Sequence, residues 1–388
     1  LPPANTVKIN SSSTYISHNS WWDYDFTKTD KKMSFKKSKE ETKNLFEQAV
    51  KRQMISDVPV GSYLSGGMDS GSITAIASQK VDRLATFTCG FDMNEATGRE
   101  VNFDERKDAE LMANHFKTEQ YEQIINAGDL RWSLPKLVYH LEDLRVGMSY
   151  PNYYISRLAS KFVKVCLQGT GGDELFGGYP TYRAHRILNI YESLIPQQLR
   201  GYILKNVNSL LPISDKNINL KMKIERFLSG RSASFVKRHF MWMSTIYDFD
   251  LLNRLMKNKF LPDDDMFLEI ESLIASSGIK DPISASQFLD LNNYLPGSIH
   301  SKTDSASMMH GVEVRSPFVN KNMLKVTANI PSRYNVNLLN NKRMLRKISK
   351  EILPIDMYKL PKKGFNFNVS YVIKNYLAND IKSKINYL

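Results

Sequence analysis

The sequence predicts an α/β fold in which a doubly wound parallel sheet is followed by a mostly helical half. Up to about residue 190, short apolar runs alternate with stretches of helical periodicity, as in a parallel sheet with crossover helices. Later in the chain no strong strand pattern appears, and prolines repeatedly interrupt long helical stretches. Two glycine-rich segments each follow an apolar run and precede a predicted helix, as ligand-binding turns of such sheets do.

The elements of the first half are predicted from periodicity and length. The predicted helices have apolar residues on one face, for example Phe46, Val50 and Met54 in the first helix. The predicted strands are short apolar runs that end in glycine, serine or aspartate. Both glycine-rich turns follow predicted strands, so both are expected at the carboxyl edge of the sheet. The predicted elements are, in order, helix 39–54, strand 58–64, helix 71–80, strand 84–91, helices 104–116, 132–144 and 153–161, and strand 162–167.

Composition limits the class of protein. A chain of 388 residues with 42% apolar and 24% charged residues can bury a sizeable core. No run reaches the ~18 consecutive apolar residues that a membrane span needs. Cys89 and Cys166 lie in apolar strand-like runs, which argues against a disulfide framework and favours a reducing cytoplasm. No Cys/His cluster has zinc spacing, so a bound metal would be a hard cation on carboxylates.

The net charge of +13 is compatible with nucleic acid, a membrane surface or anionic substrates as partners. The lysines are scattered among acidic residues, and no basic stretch is interleaved with aromatic residues. Scattered charge of this kind is typical of a solvated surface. We therefore expect phosphate handling rather than nucleic-acid binding, and no membrane partner.

The first glycine-rich turn, residues 65–70, reads SGGMDS. Adjacent glycines let the main chain close around a phosphate, and Ser65 and Ser70 add hydroxyl groups. Asp69 would repel a bare phosphate. It therefore fits a phosphate-binding turn if a magnesium ion lies between its carboxylate and the phosphate. An ordinary strand-to-helix turn with Asp69 or Ser70 as helix cap uses the same residue types, so this turn alone leaves both interpretations open.

Several motifs together resemble one known family. Residues 65–70 resemble the S-G-G-x-D-S pyrophosphate loop of the ATP pyrophosphatases, and residues 169–179 (GTGGDELFGGY) resemble the asparagine synthetase signature G-x-G-G-D-E-L-F-G-G-Y. Residues 302–318 resemble a later block of that family, 342–353 its K-x-x-L-R helix and 361–365 its K-x-G-F loop. The resemblance implies a sheet of the adenine nucleotide alpha hydrolase type and an enzyme that binds ATP and Mg²⁺.

The implied activity is an ATP-dependent, asparagine synthetase-like amide-forming ligase. By this resemblance a substrate carboxylate is adenylated with release of pyrophosphate, and ammonia or an amine then displaces AMP. Asp69 and Asp173 are the implied magnesium ligands. The implied ATP-binding residues are Leu64, Ser65, Gly66, Gly67, Asp69, Ser70, Cys89, Gly169 and Asp173.

The implied catalytic residues are Lys362, Tyr179, Glu313 and Arg315. Lys362 matches the lysine that neutralises charge as pyrophosphate leaves, and Lys363 is the alternative by spacing. Tyr179 is expected close to the reacting carboxylate. Glu313 and Arg315 stand two residues apart, so they either form a structural ion pair or hold a charged substrate.

The chain departs from the family pattern where the acceptor is expected. Thr170 replaces the acidic residue of aspartate-using members, and a threonine cannot provide the negative charge that recognises an α-ammonium group. The acceptor carboxylate therefore stays open. Alternatives are an enzyme of the same family that closes a ring or amidates a sugar acid and, more distantly, a tRNA-modifying ATP pyrophosphatase.

The expected organisation is a residual linker over 1–36 and a synthetase domain over 37–388, with a nucleotide-binding core over 37–190 and a mainly helical part over 191–388. By the resemblance, the family's amino-terminal glutaminase domain starts with a catalytic cysteine, whereas position 1 here is Leu1, and residues 1–3 resemble the end of that domain. Ammonia is then expected from solution, from an upstream glutaminase domain or from a separate chain. A homodimer is one arrangement that the sequence leaves open.

Overall fold

A computed structural model describes most of the chain, and a five-stranded parallel sheet lies at its centre. The strands are β3 (Val60–Tyr63), β4 (Ala85–Phe91), β5 (Glu119–Ile125), β6 (Val165–Leu167) and β7 (Glu313–Arg315). The described residues are 3–9, 16–30, 32–92, 104–142, 149–196, 199, 224, 226–228, 230, 233–244, 264–358 and 377–385.

The strand order is β5-β4-β3-β6-β7, and all four neighbouring pairs are parallel. The chain runs outward from β3 through β4 to β5, and then returns to place β6 on the other side of β3. The order therefore reverses between β3 and β6, and a crevice at such a point is where open α/β sheets bind ligands. Both glycine-rich turns begin there.

Helices make up most of the rest of the described chain. Residues Asp290–His300 form a π-helix between two α-helices, and Pro317–Val319 form a short 3₁₀ turn. The α-helices are α1 (Phe35–Gln53), α2 (Met68–Ala77), α3 (Arg106–Phe116), α4 (Ala127–Leu141), α5 (Ser149–Ala159), α6 (Gly172–Phe176), α7 (Pro180–Leu194), α8 (Phe235–Met243), α9 (Asp264–Ser277), α10 (Pro282–Leu289), α11 (Ser301–Met308), α12 (Lys321–Asn329), α13 (Ser332–Asn335), α14 (Arg343–Ser349), α15 (Ile355–Tyr358) and α16 (Ala378–Ile385).

Neighbouring residues of β3 show that helices cover both faces of the sheet. Successive strand side chains point to opposite faces. The Ser62 hydroxyl lies 2.9 Å from that of Thr74 on α2, whereas the Tyr63 hydroxyl lies 2.9 Å from that of Ser156 on α5. Buried apolar residues fill both layers, which confirms the predicted doubly wound α/β class with a mostly helical second half.

Several boundaries differ from the sequence expectation for local reasons. Helix α4 begins at residue 127 rather than 132 because Asn126 and Asp129 form a reciprocal capping box. Helix α2 begins at Met68, so Asp69 lies in its first turn. Strand β5 lies at the sheet edge, where Ile125 is its only buried residue. Its sequence is rich in Glu and Gln and therefore does not predict a strand. Strand β7, at the other edge, has three residues and lacks a strong apolar pattern.

The first residues form an antiparallel pair apart from the main sheet, with β1 (Asn5–Ile9) against β2 (Ile16–Ser20). Cys89 lies in β4 and Cys166 in β6, and both are free and buried, as expected. Among the described helices, none has both the length and the apolar character required to cross a membrane.

Candidate active site

The two glycine-rich turns touch at the carboxyl edge of the sheet. Strands β3 and β6 are adjacent, with Ser62 opposite Leu167, so the segments that follow them are neighbours. A Cβ atom on Gly169 would lie 2.9 Å from the Ser70 amide nitrogen and 3.0 Å from the Asp69 Cβ. Only glycine fits at this contact, which brings the second turn directly against the first.

The first turn is closed by its own serines. The Ser65 amide donates to the Ser70 hydroxyl oxygen at 3.2 Å, and the two hydroxyl oxygens lie 3.0 Å apart. Gly67 is the N-cap of α2, and it has no side chain that could accept hydrogen bonds from the first amide groups of that helix. The first amides of a helix have no partner within the helix, so this end of α2 can bind an anion.

Asp69 and Asp173, the predicted metal ligands, meet at one buried lysine. The Lys342 Nζ lies 2.5 Å from Asp69 Oδ2 and 2.8 Å from Asp173 Oδ1. The Lys342 side chain is 6% exposed, and the two carboxylates are 25% and 21% exposed. The structure therefore joins the two predicted carboxylates through a third residue that belongs to neither turn.

The two carboxylates fix the charge of Lys342. Burial by itself would lower the pKa of Lys342, but Asp173 and Asp69 outweigh it and hold that pKa above the ordinary lysine value. The ammonium is thus charged at neutral pH. Two carboxylates at −1 each and one ammonium at +1 give the cluster a net charge of −1.

Backbone geometry holds Lys342 in this position. Its φ of +52° lies in the left-handed region, which non-glycine residues seldom adopt, at the start of α14. The preceding Asn341 donates from Nδ2 to the Gly178 and Tyr179 carbonyl oxygens, at 3.1 and 2.8 Å. A Cβ on Gly178 would collide with Asp173 Oδ1 and Lys342 Cε. The signature loop and the start of α14 are therefore fitted to each other.

A buried polar layer supports the signature loop from behind. The Tyr179 hydroxyl donates to Glu174 Oε1 at 2.6 Å, and Gln287 Nε2 donates to the Glu174 and Leu175 carbonyl oxygens at 3.0 and 2.6 Å. Desolvation, with a smaller effect of the charge on Asp173, raises the pKa of Glu174 to about 7. Tyr179, predicted to lie near the reacting carboxylate, is thus bonded within its own loop.

A second buried group lies beside this layer. Asp290 accepts from the Tyr182 hydroxyl at 2.5 Å and pairs with His239 Nε2 at 2.9 Å. The other ring nitrogen of His239 lies 3.2 Å from His185 Nε2. Burial lowers the pKa of His185 well below its ordinary value, so this ring is neutral and can donate to His239. Helices α7, α8 and the π-helix are tied together behind the site.

The structure places the remaining predicted residues in different surroundings. Leu64 is buried directly after β3, and Cys89 is buried in β4, where burial raises the pKa of its thiol to about 12. Arg315 donates from Nε to Glu313 Oε1 at 2.7 Å, and from its NH1 group to the Gln53 and Ile55 carbonyl oxygens, each at 2.8 Å. Lys362 and the alternative Lys363 lie outside the described residues.

Lys342 is the main site residue that sequence reasoning left without a role. The K-x-x-L-R pattern that begins at this residue identified its helix, but its contact with Asp69 spans 273 positions, so no local spacing indicates it. Asn341, Gln287 and Asp290 were missed for the same reason. Their partners lie on other elements, and single polar residues in helical stretches give no signal in one sequence.

Comparisons with known proteins agree with these motifs. The family model described as Asparagine synthase matches residues 41–387. Asparagine synthetase [glutamine-hydrolyzing] 1 of Bacillus subtilis is 29% identical over 346 residues, which is 89% of this chain and 52% of that protein. Asparagine synthetase B [glutamine-hydrolyzing] of Escherichia coli is 31% identical over 207 residues, 46% of this chain and 35% of that protein. The chain spans about half the length of the Bacillus relative.

Proposed function

Because the chain belongs to the asparagine synthase family, we propose that it is an ATP-dependent amide-forming ligase that adenylates a carboxylate. The observation that supports this most is the meeting of Asp69, Asp173 and Lys342 where the strand order reverses. The carboxylates suit the metal ion of a nucleoside triphosphate, and the buried ammonium and the anion-binding turn suit its phosphates. In this proposal residues 37–190 form the nucleotide-binding core of a synthetase domain over 37–388.

The donor atoms at the site fit Mg²⁺. Magnesium prefers oxygen ligands and is usually bound by one or two carboxylates together with substrate phosphates and water. Asp69 and Asp173 provide two such carboxylates within hydrogen-bonding range of one nitrogen atom. We propose that they hold the ion, which would neutralise charge on the pyrophosphate as it leaves.

The proposed first step forms the acyl-adenylate. An oxygen of the substrate carboxylate attacks the α-phosphorus of ATP, and the bond from that phosphorus to the bridging oxygen breaks, which releases pyrophosphate. Residues 65–70 and the start of α2 would hold the departing phosphates. Lys342 would add a fixed positive charge beside them, and Lys362 would neutralise the leaving charge.

The proposed second step forms the amide. The nitrogen of ammonia or an amine attacks the acyl carbon, the bond to the AMP oxygen breaks, and the nitrogen loses a proton. Thr170 is uncharged, so the acceptor need not bear an ammonium group at that position, and aspartate is one member of a wider class. Cyclisation of a substrate that contains its own amine would use the same two steps.

Glu313 and Arg315 have two proposed roles of unequal support. Arg315 binds Glu313 and two backbone carbonyls near the end of α1, and these contacts anchor edge strand β7 to that helix. We therefore propose the structural ion pair rather than substrate binding. Tyr179, bonded to Glu174, is proposed to shape the wall beside the reacting carboxylate.

The proposal is tested by carboxylate-dependent exchange of labelled pyrophosphate into ATP. Aspartate, other amino-acid carboxylates and sugar acids would each be added with Mg²⁺ and ATP. At least one is expected to give exchange, and Asp173→Asn is expected to reduce it by about 10³-fold or more because the metal loses a ligand. ADP and phosphate as products, or unchanged exchange in Asp173→Asn, would contradict the proposal.

A further inference from the structure

We infer that four arginines, apart from the catalytic carboxylates, form a binding site for a small ligand that carries two or more phosphate groups. The proposed catalytic function does not depend on this site. Arg183 and Arg186 lie on α7, Arg333 lies on the short helix α13, and Arg343 lies at the start of α14. Their side chains meet along one short segment, and they lack acidic partners.

Three of the arginines meet at the start of α13. Arg186 donates from its NH2 group to the Ser332 hydroxyl oxygen at 3.2 Å. Arg343 donates from its NH1 group to the carbonyl oxygen of Arg333 at 2.6 Å. Because Ser332 and Arg333 are consecutive residues, the guanidinium groups of Arg186 and Arg343 both reach the segment that contains Arg333.

Arg183 extends this group along α7. It lies three residues before Arg186, so the two side chains are neighbours on the same side of the helix. Its NH1 group donates to the Leu339 carbonyl oxygen at 3.0 Å. The Arg333 side chain is exposed, and those of Arg183, Arg186 and Arg343 are half-buried, so solvent and ligands can reach the cluster.

The partners of these side chains are uncharged. In the part of the chain that the structure describes, none of the four guanidinium groups forms an ion pair with a carboxylate. The guanidinium carbon of Arg333 lies 5.1 Å from the ring centre of Tyr334. No Asp or Glu occurs in the sequence between Glu313 and Glu351, so this region contains no acidic residue that could pair with them.

The lack of a counter-charge distinguishes this cluster from other arginines of the molecule. Arg106 binds the Asp104 carboxylate at 2.8 Å, and Arg315 binds Glu313 at 2.7 Å. Cations held close together repel one another and oppose the compact state. Each guanidinium group has five N–H donors, and the contacts to hydroxyl and carbonyl oxygens use only some of them. The cluster is therefore suited to an anion from outside the chain.

Phosphate groups suit this cluster better than carboxylates do. Guanidinium groups bind both kinds of anion in a bidentate manner. A phosphate group, however, has nearly two negative charges near neutral pH and three acceptor oxygens, so two such groups would balance four arginines. The contacts of the cluster fall within residues 332–339, which suits a compact ligand rather than the long backbone of a nucleic acid.

The test measures binding by isothermal titration calorimetry, with fructose 1,6-bisphosphate as the probe and without Mg²⁺ or nucleotide. Wild type is expected to bind the bisphosphate more tightly than inorganic phosphate or citrate. Arg183→Gln/Arg333→Gln is expected to weaken bisphosphate binding by about tenfold or more, because two charged donors are lost. Arg52→Gln/Arg83→Gln removes the same charge from exposed positions elsewhere and is expected to match wild type.

Two further measurements complete the design. Arg333→Gln alone changes an exposed side chain and is expected to give part of the loss, so the test does not depend on folding of the double variant. A short single-stranded RNA is titrated in parallel and is expected to bind both double variants equally, because they have the same net charge.

Three outcomes would overturn the inference. They are equal bisphosphate affinity in wild type and in Arg183→Gln/Arg333→Gln, an equal loss in Arg52→Gln/Arg83→Gln, and citrate binding as tight as that of the bisphosphate. A loss of RNA binding in Arg183→Gln/Arg333→Gln alone would also overturn it, since the cluster would then be a nucleic-acid site. The proposed ligase function stands in each case, because pyrophosphate exchange tests it separately.

Discussion

Replacing Lys342 by methionine is expected to lower the free energy of unfolding by about 3–5 kcal/mol, because it leaves two carboxylates facing each other without their shared cation. The lysine is 6% exposed and lies within 2.8 Å of both carboxylates, which are 25% and 21% exposed, so water can replace the buried ammonium only in part. Urea denaturation of wild type and variant measures the difference.

A double-mutant cycle separates the charge effect from lost packing. Adding Asp173→Asn to Lys342→Met removes the charge of one of the two carboxylates that repel each other once the ammonium is gone, so the double variant is expected to be more stable than Lys342→Met alone. Lys347→Met, on the exposed side of the same helix, is expected to change stability by less than about 0.5 kcal/mol. Additive effects of the two site substitutions would contradict the coupling of Lys342 to Asp173.

The second large effect is expected from Gly178→Ala. The added methyl group would collide with both Asp173 Oδ1 and Lys342 Cε, so one or both must move. A displacement of about 1 Å in a catalytic group typically costs about 10²-fold in rate. Carboxylate-dependent pyrophosphate exchange is therefore expected to fall by about that factor or more, while overpacking lowers stability by about 1–3 kcal/mol.

Gly128→Ala provides the matched control. Gly128 is exposed in the first turn of α4, and a Cβ there would approach the Asn126 side-chain oxygen at 3.1 Å rather than an element of the site. Exchange by this variant is expected to equal that of wild type. Wild-type exchange in Gly178→Ala would show that the close fit of loop and lysine does not matter for the reaction.

The central sheet could be predicted because its inner strands are apolar. Strands β3, β4 and β6 are covered on both faces, so their sequences are mostly apolar, with small buried polar residues such as Ser62, Thr86 and Thr88 between the apolar ones. The edge strands lack this signal. Four of the seven residues of strand β5 are Glu or Gln, in two adjacent pairs, and β7 has three residues whose pairing with β6 depends on the folded chain.

The site could be predicted in part for a related reason. Asp69 and Asp173 stand inside glycine-rich turns, and their contacts are fixed by segments a few residues long. Lys342 reaches Asp69 across 273 positions, and Asp290 reaches Tyr182 across 108. Such contacts depend on how helices pack after folding, and one sequence contains no local pattern for them. The cation between the two carboxylates was therefore found in the structure and not in the sequence.

Transfer of oxygen from the acceptor to AMP tests the central claim most directly. A carboxylate that supports pyrophosphate exchange would be labelled with ¹⁸O and incubated with ATP, Mg²⁺ and ammonia, and the products separated for mass spectrometry. If the carboxylate attacks the α-phosphorus, one labelled oxygen must appear in AMP and the other in the amide. Label in inorganic phosphate, or AMP without label, would contradict an acyl-adenylate at the Asp69–Asp173–Lys342 site.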